Sequence, residues 1–129
     1  MPSAKNKPAA VTPLTIFWLV KATPHWLALA PHGEGGRFAF VDAIIKPILA
    51  RYPGVQLRFF DAEAYATLCS DVMMWQLSNR EEYQALVEAL RETEFWDHYF
   101  QVLHILPTVE DGYASHYQHS RAQDLAELA

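Results

Sequence analysis

Six side chains stand out as able to do chemistry once the chain folds: Phe17, Lys21, Arg58, Asp71, Trp75 and His104. Lys21 beside Asp71 makes either a polar anchor for a small acid or phenol in an apolar cavity, or an ion pair that orients a dimer. The His104 imidazole titrates near neutrality and suits a general base or an axial ligand. The competing identity is a hydrogen-bonded structural histidine. Trp75 and Phe17 offer flat faces to an aromatic ligand, or serve as core and dimer contacts. Arg58 adds a cation to the same group. No catalytic residue is assigned by this pattern.

Other groups point less far. Asp61 and Glu63, with Tyr65, bind a cation or do acid–base work in one reading. In the other they belong to a solvated, side-chain-capped turn. His116 and His119 have i, i+3 spacing but no third ligand nearby, so no metal site is expected. Cys69 has no histidine beside it in sequence and reads as a small buried apolar residue. Gly33 to Gly36 matches neither the dinucleotide nor the Walker pattern. No cofactor is expected, and His104 alone does not make a haem site.

These residues need a scaffold that brings them together. Leu14 to Ala22 (LTIFWLVKA) is short and rich in aromatic and β-branched residues, and it reads as a buried strand. Thr23-Pro24 reads as an N-cap with proline at the first helical position. From Arg37 to Tyr52, the apolar residues Phe38, Val41, Ile45, Ile48 and Tyr52 fall on one helical face. Pro47 interrupts this run and predicts a kink. Val55 to Phe60 and Cys69 to Leu77 read as two further strands. Ser78 with Glu81 suggests a capping box before a helix whose apolar face is Tyr83, Leu86, Val87 and Leu90. Phe100 to Leu106 reads as a fourth strand stopped by Pro107.

The order β-α-β-β-α-β predicts an α+β, ferredoxin-like sandwich with an antiparallel sheet ordered 4-1-3-2 and helices on one face. Residues 1–13 read as a disordered tail and 14–118 as a single domain. Residues 119–129 read as a C-terminal tail, weakly helical from Arg121 to Leu128. Strand alternation then sorts side chains between the two faces. It predicts Phe17, Leu19, Lys21, Arg58, Phe60, Asp71, Met73, Trp75 and His104 on the open face. Such a face is too apolar for water, so a homodimer with sheets face to face is expected.

The chain has 129 residues and a formal net charge of −5, with no cluster of Lys and Arg. That balance gives no electrostatic case for nucleic-acid binding. One cysteine allows no intrachain disulfide and suits a reducing cytoplasm. The apolar stretch Leu14 to Val20 is too short for a membrane span and lacks a signal-peptide layout.

The segments LTIFWLVKATPHWLAL, IKPILARYPGVQLRFFDAEAY, CSDVMMWQL, LVEALRETEFWDHYF and ILPTVEDGYA resemble the darcynin family of small bacterial proteins. The resemblance runs from about Leu14 to about Tyr117, and LRFFDAEAY and CSDV-x-x-W are its most specific parts. It implies kinship with a family that has no settled activity. The element order is similar to that of dimeric α/β-barrel proteins. Some of those bind haem, some oxidise aromatic polyketides without a cofactor, and some degrade small metabolites. The expected function is therefore binding of a small apolar or aromatic molecule, in a cavity between sheet and helices or between sheets. The alternative is a non-catalytic homodimeric interaction protein.

Overall fold

The computed structural model describes residues 13–118. The expected N-terminal tail, apart from Pro13, and the expected C-terminal tail, with the weak helix read from Arg121 to Leu128 and with His119, fall outside the described residues.

Strand β1 (Leu14–Ala22) has neighbours on both sides, where its β-branched and aromatic residues pack well. Thr23 closes it and caps α1 (Pro24–Leu27): its hydroxyl accepts from the Trp26 amide, and Pro24 sits in the first turn. A glycine-bearing loop leads into α2 (Arg37–Phe40). A π-helical segment, Val41–Ile45, follows, and then α3 (Lys46–Arg51). Strands β2 (Val55–Asp61) and β3 (Asp71–Leu77), helix α4 (Arg80–Arg91) and strand β4 (Phe100–Val109) complete the order. The sheet order is β2-β3-β1-β4, with every pairing antiparallel. This is the expected ferredoxin-like sheet, seen from its other edge.

Four local expectations need adjustment. The disturbance expected at Pro47 spreads into the preceding turn. Pro47 has no amide to give Ala43, and its ring crowds that carbonyl. The chain widens just before it, and the Lys46 amide reaches back five residues to the Val41 carbonyl. Pro107 does not stop the last strand, which continues to Val109. β4 is an edge strand, where a missing amide need not break a ladder bond. β3 begins at Asp71, two residues after Cys69. Finally, Asn79, not Ser78, caps α4: its side chain accepts from the Glu81 and Glu82 amides at 2.9 and 3.1 Å. The Ser78 hydroxyl instead donates to the Gly54 carbonyl. Asn79→Ala is expected to cost about 1 kcal/mol in urea unfolding, and Ser78→Ala clearly less.

The core lies on one side of the sheet. Ile16, Trp18 and Val20 of β1, Val55 of β2, and Met73, Trp75 and Leu77 of β3 pack with Ile48 of α3 and with Leu86 and Leu90 of α4. Phe95 and Phe100 close one end. Trp18 is the centre: its ring lies 5.0 Å from Trp75, 5.8 Å from Trp96 and 6.4 Å from Tyr83.

Candidate functional site

Register decides which residues can meet. Ile16 pairs with Trp75, Trp18 with Met73, and Val20 with Asp71. Directly paired residues share a face, so Asp71, Met73 and Trp75 lie on the helix side. The expected open-face positions of Asp71, Met73 and Trp75 are therefore overturned: β3 sits one residue away from the assumed pairing, and such a slip exchanges the faces. Lys21 lies on the other face, exposed, opposite Gln101. The Lys21–Asp71 pair does not form, and the anchor built on it falls.

The remaining candidates do share the open face. Phe17 pairs with Met74 and Leu106, Leu19 with Val72 and His104, and Arg58 with Met74. His104 is exposed. Arg58 lies over the Phe60 ring at 5.3 Å. A bulge in β4 opposite Leu19 and Val20 takes up Leu103, which lets Val102 return to the helix side while His104 stays on the open one. The open face thus carries Phe17, Leu19, Phe60, Val72, Met74 and Leu106, with Val72 and Met74 in the places expected for Met73 and Trp75.

The helix side holds what alternation could not reveal, a cavity of about 570 Å³ partly open to solvent. Leu57, Phe59, Met73 and Trp75 of the sheet line it below. Phe38, Phe40, Val41, Ile45 and Leu49 line it from the helical side, and Trp26, Phe95 and Phe100 close one end. Its lining is overwhelmingly apolar, with Arg37, Lys46 and Asp61 as the charged members. Two lining rings stand largely in solvent, Phe38 at 57% and Phe59 at 51% exposure. The π segment supplies Val41 and Ile45 to the wall, and such segments recur at functional sites. The sequence had placed Phe38, Val41 and Ile45 on a buried helical face. Arg37, Lys46 and Phe59 carried no signal that would have singled them out.

The cavity does not suit haem. Its lining contains no imidazole, thiolate or phenolate, and His104 is on the opposite face of the sheet. Among the described residues, no group of three or more His, Cys, Asp or Glu side chains could hold a metal ion. Asp61 and Glu63 form the turn rather than a cation site, with the Glu63 amide donating to the Asp61 carboxylate at 3.0 Å. Cys69 is buried.

Asp71 is electrostatically unusual. Burial pushes its carboxyl above the ordinary carboxylate value, opposed by a 2.8 Å bond from the Ser70 hydroxyl and reinforced by Asp61 and Glu63. Asp61 is its direct partner across β2 and β3. The folded chain therefore holds this proton more tightly than the unfolded chain does. The stability that follows is fully present below the unfolded value and is lost as pH rises through the folded one. Asp71→Asn keeps an acceptor for Ser70 and removes that loss. It is expected to melt higher than the wild type at neutral pH, with the advantage vanishing in acid. Melting curves across the carboxylate range check this, and a lower neutral-pH midpoint would show that the carboxylate is needed.

Comparison with known proteins agrees with the fold and fixes the kinship. The chain is 48% identical over 105 residues to a Darcynin homolog of Granulibacter bethesdensis, covering 81% of this chain and 82% of that protein. It is 43% identical over 117 residues to a Darcynin homolog of Streptomyces avermitilis, covering 91% and 92% respectively. A chlorite dismutase variant from Candidatus Nitrospira defluvii superposes with a TM-score of 0.61 at 15% sequence identity. That match covers 76% of this chain and 40% of the dismutase chain, so the chain spans well under half of its length, and the likeness is one of fold. The family described as "Darcynin, domain of unknown function" matches residues 1–126. The chain belongs to the Darcynin family.

Proposed function

We propose that this protein binds a small apolar or aromatic molecule in the cavity between the sheet and the α2–α3 helical segment. The observation that carries the reading is the cavity itself. It is a concave pocket of about 570 Å³, partly open to solvent, whose wall is overwhelmingly apolar where ordinary protein surface mixes polar and apolar atoms. The size lies in the range of small-molecule sites, as does the mostly apolar lining with a few polar groups. Phe38 and Phe59, exposed in the lining, also fit this role, because large rings held in water gain from a bound apolar partner.

Filling the cavity is the direct test. Val41→Trp adds a large side chain to the wall, and Ile45→Phe offers a milder alternative if the first overpacks. Either is expected to weaken calorimetric binding of a neutral naphthalene alcohol by about tenfold or more, roughly the loss of a well-buried apolar contact. Melting should be unchanged or higher. Unaltered affinity in both variants would remove the cavity as the site.

A second reading concerns the opposite face and is compatible with the first. Phe17, Leu19, Val72, Met74, Phe60 and Leu106 form an apolar surface on the open side of a four-stranded sheet. A second copy packed face to face, as in dimeric α/β barrels, covers it, and the protein then works as a homodimer. A cytoplasmic location suits the single cysteine. No described helix is long and apolar enough to cross a membrane.

A further inference from the structure

The charged residues around the cavity are not equivalent. Lys46 is paired with Asp42 at 2.8 Å, and both side chains are largely in solvent. Asp61 already accepts the Glu63 amide. Arg37 is half-buried and, among the described residues, has no carboxylate partner.

Arg37 is also held in place. Its Nε donates to the Leu29 carbonyl at 3.0 Å, and its backbone amide donates to the Ala30 carbonyl at 2.8 Å. Glycines make this return of the chain possible. Gly33 and Gly35 have φ of +92° and +72°, which disfavours other residues. A side chain at Gly36 would lie 2.7 Å from the Ala30 carbonyl oxygen. The loop therefore fixes one edge of the guanidinium and leaves the terminal N–H donors without a carboxylate. A guanidinium so positioned, on a half-buried residue beside aromatic walls, favours a planar anion that takes two parallel hydrogen bonds.

We propose that Arg37 binds the carboxylate of an apolar, ring-sized acid whose body fills the cavity. This rests on the cavity being a ligand site. Bound there, the acid replaces the missing counter-charge of Arg37, whereas an amine meets repulsion and a neutral alcohol gains only the apolar contact.

Calorimetry of the full chain with 2-naphthoate, 2-naphthalenemethanol and 2-naphthylmethylamine tests this at constant ionic strength. Wild-type protein is expected to bind the acid about tenfold or more tightly than the alcohol, with the amine weakest. Arg37→Gln should bring the acid down to the affinity that the same variant shows for the alcohol, so that the acid-to-alcohol preference falls from about tenfold to near one. Arg37→Lys should keep part of the preference, because it retains charge without the fork. Equal wild-type binding of acid and alcohol overturns the role of Arg37, even if Arg37→Gln fails to fold, and leaves the cavity reading standing. An acid preference that survives Arg37→Gln does the same. Failure of all three probes to bind overturns both.

Discussion

Trp18→Ala is expected to remove about 3–5 kcal/mol of folding stability, the range for truncating a buried large aromatic. The indole has no solvent exposure and touches Trp75, Trp96 and Tyr83. Its Nε1–H donates to the Tyr83 hydroxyl at 2.9 Å, so truncation also strands a half-buried oxygen. Burial already pushes the Tyr83 phenol above its ordinary value, against the opposing effect of that bond. Domains of this kind hold only about 5–15 kcal/mol in total, so the variant loses a large share of it. Trp18→Phe keeps a ring among the same neighbours and should cost clearly less. Urea unfolding at fixed protein concentration measures both, and a loss below about 1 kcal/mol for alanine would place the centre of the core elsewhere.

If the sheets pack face to face as proposed, Phe17→Glu is expected to leave a folded monomer. Phe17 lies on a central strand between Met74 and Leu106, with no opposite charge at either paired position. In a single copy its side chain faces outward from the sheet and is half-buried, so a carboxylate there stays hydrated. Between two sheets the same carboxylate is buried without a partner, which costs several kcal/mol per ion. The dissociation constant should therefore rise by at least about a hundredfold, the equivalent of roughly 2.7 kcal/mol. Phe17→Leu should leave association nearly intact. Sedimentation at micromolar concentration distinguishes these outcomes. A wild-type monomer, or a glutamate variant that still dimerises, would remove the face-to-face arrangement. The cavity lies on the other side of the sheet, so its ligand affinity provides an independent check that the glutamate variant is folded.

Strand identity and order were legible because they follow from short-range chemistry. LTIFWLVKA cannot stay in water, and the residues that end the elements are turn and cap formers read directly from their backbone preferences. Helix α4 was legible from the spacing of Tyr83, Leu86, Val87 and Leu90, although its cap lies one residue later than Ser78, because Asn79 is the residue whose side chain reaches two free amides. Phe17, Arg58 and His104 do share a face, as expected, although they lie on three strands and only the pairing between strands puts them together. Alternation failed for Asp71 and Trp75, because it sorts a strand into two sets without saying which set meets the helices.

By itself, then, the sequence determined the ferredoxin-like element order and the apolar character of both sheet faces. Tertiary structure decided the rest. It set Val20 opposite Asp71, which sends Lys21 and Asp71 to opposite faces and buries Trp75. It turned the stretch before Pro47 into a π segment and left a partly open apolar pocket beside it. It brought Arg37, pinned by Leu29, to the wall of that pocket. Periodicity along one segment carries the direction of each side chain relative to its neighbours in sequence. Register, and the volume left unfilled between layers, are set by how separate segments pack, and no local pattern contains them.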